Sequence, residues 1–201
     1  MSLSPSQLSS LMVGQCSSKG IKGQDIPKFC QALSEGLITS FKQTNSVTSI
    51  DVGIAAVGSG TGKIIGIVPS GLTGITLPFM LGNGLKGIKS IDWVEAICTA
   101  IVMHFLASSE SKTSHIGVAV GTGIGQIIGL SPGAMTSIIV GKMASKNIKG
   151  PMIQPLVDAV SKGFCTYFQA SAKLTIVITG APVLILAIPI PSAGSGTGKV
   201  S

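Results

Sequence analysis

The sequence predicts an α+β fold made of three tandem ααββ repeats of about 63 residues, closed as a pseudo-threefold ring or stacked as a short array. Three observations predict it. Residues 4–42 align without a gap on residues 131–169, a shift of 127, with sixteen of 39 positions identical. Ser4-Pro5 meets Ser131-Pro132, Ile21-Lys22-Gly23 meets Ile148-Lys149-Gly150, and Phe41 meets Phe168. Half of that shift predicts a middle copy. Leu72, Ile75 and Phe105 stand there opposite Leu8, Leu11 and Phe41, and Ile88-Lys89 echoes Ile21-Lys22 after a short insertion around residues 78–81. Finally, apolar stripes at helical spacing alternate with glycine-rich, β-branched segments along the whole chain.

The elements follow in order. Ser4 before Pro5 and Ser131 before Pro132 open a short first helix, because proline suits the first helical position. Leu8, Leu11 and Met12, like Met135, Ile138 and Ile139, keep the i, i+3, i+4 spacing of one helix face. After a Gly/Lys turn, a longer helix carries Ile26, Phe29, Cys30, Leu33, Leu37 and Phe41 on one stripe, with counterparts over residues 94–105 and 155–168. A hairpin ends each unit: Ile50, Val52, Ile54 and Ala56 alternate outward and residues 63–68 return. Strands over 116–120 and 174–178 are low in charge, which predicts burial on both faces.

In this reading the glycine-rich segments are hairpin turns, where glycine supplies positive φ. They hold Gly58, Gly60 and Lys63 in the first copy, Gly121, Gly123 and Gly125 in the second, and Thr179-Gly180-Ala181-Pro182 in the third. Pro69, Pro132 and Pro191 close the units, so the repeats are 1–68, 69–131 and 132–201. The last includes a Gly/Ser tail with Gly194, Gly196 and Lys199. Such a tail frays unless something holds it, and a neighbouring subunit is the expected holder. These nine glycines and lysines are therefore interface candidates.

Composition narrows the function. The 201 residues are 45% hydrophobic and only 10% charged, with 27 glycines, which excludes a disordered chain. All fourteen basic residues are lysine, giving +7 against seven carboxylates, and aromatics are 4%. Lacking arginine forks and stacking platforms, the chain is not expected to read nucleic acid. Cys16, Cys30, Cys98 and Cys165 have no metal-like spacing and read as reduced core residues. His104 and His115 have no acidic or cysteine cluster beside them, so no metal is expected. The first ten residues lack a charged segment followed by an apolar one, so no signal peptide is expected.

Two motifs tempt and fail on chemistry. Gly58-Ser59-Gly60-Thr61-Gly62-Lys63 and its copy ending at Lys199 resemble a phosphate loop, but Val57 and Ile64 stand where the loop needs glycine and a hydroxyl. The glycines around Gly123 lack the helix and acidic partner of a dinucleotide site. Asp25, Asp92 and Asp158 sit near helix starts, where a carboxylate favours the dipole. No nucleophile elbow or acid–base pair appears, so no enzyme and no cofactor is expected.

What remains is more apolar surface than one small chain hides, which points to obligate assembly. The expected function is a non-enzymatic structural subunit of a large symmetric assembly, a tailed-bacteriophage virion component of head, neck, tail or decoration. Its expected partners are copies of itself and other structural subunits. Its expected location is the virion, after synthesis in the host cytoplasm. A membrane-associated protein that embeds the uncharged run from Leu174 to Ala193 is the alternative. A phosphate or nucleotide binder using the two GSGTGK segments is third.

Overall fold

The computed structural model describes residues 3–44, 46–54, 57–116, 120–179, 184–185, 188–189 and 192–200. The fold is α+β. In chain order it runs α1 (Pro5–Ser18), α2 (Asp25–Thr44), β1 (Ser46–Ile54), β2 (Val57–Ile65), α3 (Pro69–Gly82), α4 (Ser90–Ser108), β3 (Glu110–Ile116), β4 (Val120–Ile128), α5 (Pro132–Ser145), α6 (Ile153–Ser171), β5 (Lys173–Thr179), β6 (Leu184–Ile185), β7 (Ile188–Pro189) and β8 (Ser192–Val200). Pro5, Pro69 and Pro132 each open their helix, where the missing N–H costs no helical bond.

The shorter helices α1, α3 and α5 all end in the same way. Gly20, Gly84 and Asn147 take positive φ of 71°, 78° and 55°. The next residues, Ile21, Leu85 and Ile148, donate their N–H to the carbonyls of Cys16, Met80 and Met143. This is the Schellman arrangement, which satisfies carbonyls the helix leaves open and sets an apolar residue against its last turn. It also corrects one sequence match. With α1, α3 and α5 all 14 residues long, nothing is inserted at 78–81; Pro78 lies inside α3. Leu85-Lys86-Gly87, not Ile88-Lys89, occupies the place of Ile21-Lys22-Gly23.

The six helices form a closed ring, each touching the next and α6 touching α1. Small residues allow the closest approaches. A Cβ on Gly36 of α2 would stand 2.5 Å from Thr76 Cα of α3. One on Gly163 of α6 would stand 2.7 Å from Met12 Cγ and 3.1 Å from Met12 Cα of α1. The centre is aromatic: Phe41 of α2, Phe105 of α4 and Phe168 of α6 are fully buried, with mutual centroid distances of 5.0, 4.6 and 5.8 Å. Phe164 stacks on Phe168 at 4.3 Å.

The other layer is a closed barrel of order β1-β2-β3-β4-β5-β8, antiparallel at every pairing. Helices α4, α6 and α2 reach β2, β4 and β8. Ile64 and Ile127, near the ends of β2 and β4, are buried in the same core as the helix side chains.

The strand bounds depart from the sequence reading. A strand at 116–120 is replaced by β3, which ends at Ile116; residues 117–119 lie outside the described residues, as do Gly180, Ala181, Pro182 and Pro191. The burial expected for 116–120 concerns side chains outside the described ones; within β3, Ser111 is buried while Glu110, Lys112 and Ser114 are exposed. A barrel strand alternates between lumen and solvent, so a polar run suits it better than the apolar one beside it. The strand expected at 174–178 falls within β5.

Candidate functional site

The glycine segments are strands, not turns. Gly58, Gly60 and Lys63 lie within β2, Gly121, Gly123 and Gly125 within β4, and Gly194, Gly196 and Lys199 within β8. Glycine at every second position puts all the glycines of a strand on one face. The register joins these faces through the intervening strands: Gly60 pairs with Asp51 and Thr113, Gly125 with Thr113 and Leu174, and Gly196 with Ser49 and Ile178. Gly123 is buried, as are Ser111, Ile64 and Ile127 of the same parity, whereas Thr61, Lys63, Lys112, Gln126, Thr197 and Lys199 of the opposite parity are exposed. The glycines thus line the inside of the barrel.

The reason is spatial. A six-stranded barrel is narrower than the eight-stranded one whose lumen side chains just fill. Glycine at these positions of β2, β4 and β8, the alternate staves, puts no side chain into that narrow space. Positive φ is needed elsewhere, at Gly66 (87°) and Gly129 (85°), just past β2 and β4, where the chain turns toward the next helix. At Gly129 a Cβ would lie 2.2 Å from the Ser108 carbonyl oxygen.

The tail is held by its own chain. β8 pairs with β1 on one side and β5 on the other, so it closes the barrel, and no neighbouring subunit is required to order it. The candidate residues therefore divide. Gly58, Gly60, Gly121, Gly123, Gly125, Gly194 and Gly196 share the lumen parity, while Lys63 and Lys199 lie on the outside. Nor can Lys63 close a phosphate loop, because the strand continues through Ile65 and the next helix starts only at Pro69.

The polar groups with chemical potential have structural employment. His104 is buried in α4; its Nε2 accepts the backbone N–H of Ser131 at 3.0 Å, and its Nδ1 lies 3.4 Å from Ser108 Oγ. Burial holds its pKa below the ordinary value of 6.5. The imidazole thus ties α4 to the start of α5 and meets the amide of Ser131, not its hydroxyl, which caps Ala134 N–H. Burial pushes the thiol of Cys98 up to about 11 and that of Cys165 up to about 12. Cys30 is raised by its hydrogen bond with Cys16 and by burial. All four cysteines are buried free thiols. Among the described residues no three metal-ligating side chains gather.

Asp158 does more than favour a helix dipole. It ion-pairs Lys19 and accepts from Thr136 Oγ1, tying α6 to α1 and α5. Between α5 and α4, Lys146 reaches Glu95 at 2.8 Å and Asp92 at 3.4 Å.

What sequence reasoning missed is the exposed apolar set. Ile88 is 100% exposed, and Ile91 and Met152 stand with it at the helix-turn end; Ile65, Val68 and Ile124 are exposed on or beside the barrel. The available signal was large aliphatics beside Gly-Lys turns, where nothing local covers them. Among the described residues one helix, α4, is long and apolar enough to cross a membrane, but half of its apolar stretch is buried inside the molecule. The run from Leu174 to Ala193 holds β5, β6, β7 and the start of β8, not a helix, in its described residues. No family model matches the chain, and no curated protein or solved structure is similar to it.

Proposed function

We propose that the chain is a non-enzymatic structural subunit of a large symmetric assembly, of the kind a tailed-bacteriophage virion contains, built as three ααββ repeats in a pseudo-threefold ring. One observation carries the reading: three helix ends, at Gly20, Gly84 and Asn147, share a single bonding pattern, and three phenylalanines of matched sequence position meet at the centre. A chain that imitates a trimer suits a place on a particle's symmetry axis, where it presents equivalent patches to equivalent neighbours. Exposed Ile88, Ile91 and Met152 at one end and Ile65, Val68 and Ile124 at the other supply the apolar contact that obligate interfaces need. Copies of the chain and other structural subunits are the partners under this reading, and the virion its location.

Light scattering in detergent-free buffer, with negative-stain images of the same sample, tests self-assembly. A defined oligomer or lattice is expected, and Ile88→Glu, at a position that packs against nothing in the chain, should reduce it to single chains. A monodisperse 20.2 kDa species at high concentration overturns self-assembly.

A further inference from the structure

Two of the three junctions between a short helix's end and the long helix beside it are clasped by charge. The C-cap lysines Lys19 and Lys146 reach Asp158 of α6 and Glu95 of α4. At the third, between α3 and α2, the C-cap is Asn83, whose amide donates to Phe79 O of its own helix. Opposite it, Gln31 stands five residues after Ile26, as Glu95 does after Ser90 and Asp158 after Ile153, and donates to Glu35. α3 contains no ionisable side chain, and neither Asn83 nor Gln31 carries a charge to pair across this junction.

Beside this junction, between the starts of α2 and α4 and the end of α3, a pocket of about 450 Å³ opens, within the size range of small-molecule sites. Phe29 and Trp93 form one wall, edge to face at 6.1 Å and 85°, and the rest of the apolar lining includes Met80, Leu85 and Leu156. Lys86 stands at the mouth and is exposed, with no ion pair among the described residues. Asp25 and Lys89 also line the pocket, and each is ion-paired: Asp25 with Lys28 at 3.0 Å and Lys89 with Asp92 at 2.9 Å.

We propose that this pocket binds a small amphipathic carboxylate, with its apolar chain against the wall that Phe29 and Trp93 form and its carboxylate at Lys86. The apolar lining gives such a ligand its burial, and the unmatched positive charge at the rim selects the sign of its head group. The site does not depend on the assembly reading, since it is complete within one chain.

Trp93 is the single tryptophan, so its fluorescence reads the pocket directly. Titration with decanoate below its micellar range should give a saturable shift of emission, with decylamine binding about tenfold more weakly or worse. Lys86→Glu, an exposed substitution, should weaken decanoate about tenfold and narrow or reverse the preference over decylamine. Gly87→Leu puts a branched side chain at the mouth, where a Cβ meets only Ser90 Oγ at 3.5 Å, and should abolish the shift while far-ultraviolet circular dichroism stays unchanged. No saturable shift, equal binding of the amine, or decanoate binding unaltered in both variants overturns the proposal.

Discussion

The rings of Phe41 and Phe168 stand 4.6 Å apart and inclined at 53°, although their helices lie at opposite ends of the chain. Phe105 completes the group at 5.0 Å from Phe41. This contact joins the first long helix to the last and makes the ring's centre one packing unit. Phe41→Ala should cost about 3–5 kcal/mol, the range for a buried phenylalanine, and Phe105→Ala a similar amount. Because the rings share partners, the double variant should lose measurably less or more than the sum. Denaturant unfolding of the two single variants and the double variant checks both statements.

Gly36 and Gly163 set how closely the helices approach. Alanine at Gly36 meets the Thr76 backbone at 2.5 Å, whereas at Gly163 it meets Met12 Cγ at 2.7 Å and the Met12 backbone only at 3.1 and 3.2 Å. Gly36→Ala is therefore expected to destabilise by about 1–3 kcal/mol and Gly163→Ala by less. Alanine is the better helix former at both sites, so propensity alone predicts the opposite sign. Thermal unfolding distinguishes the two.

His104 makes stability depend on pH. Its pKa is lowered in the folded chain, so the unfolded state binds the proton more readily. Its contribution is complete above about 6.5, the unfolded value, and declines as pH falls below it toward the lower folded value. Protonation would also set an N–H against the Ser131 N–H that Nε2 now accepts. The melting temperature should fall between pH 7 and pH 5, and His104→Gln should flatten that slope.

Removing residues 194–201 should do more than trim a loose tail. It removes most of β8, leaving β1 and β5 with unpaired edges and the barrel open. The truncated chain should lose strand signal in circular dichroism and aggregate through those edges. Retained strand content in a soluble truncated chain would show that the barrel tolerates a gap.

The thiols give a simple measure of core integrity. Ellman's reagent should find none of the four cysteines reactive in the folded protein and all four in denaturant, because each is buried and three are pushed toward the neutral thiol. Fast reaction of any one marks a local opening.

The helices were legible because their apolar stripes are a local, periodic signal: Leu8 with Met12, and Leu33 with Leu37 and Phe41, are all buried. The proline starts were legible for the same reason. The strands were misread where glycine alternates with polar residues. Locally Gly-Ser-Gly-Thr-Gly looks like a turn, and only barrel closure, a contact between distant parts of the chain, makes those glycines a lumen face. The role of β8 was hidden likewise, since its partners β1 and β5 are contributed from elsewhere in the chain. The pocket could not be read from composition. It lies between the starts of α2 and α4, the end of α3 and Leu156 of α6, segments that only the closed ring of helices brings together.

Leu3 is buried just ahead of α1, as Ile67 and Leu130 are ahead of α3 and α5. β2 and β4 lead into those helices through Ile67 and Leu130, and β8 sits in the barrel beside β1 as β2 sits beside β3. β8 therefore stands to α1, in strand order, as β2 and β4 stand to α3 and α5. A circular permutant that joins position 201 to position 1 and opens the chain between Gly129 and Leu130 should regain the same ring of helices on the same barrel.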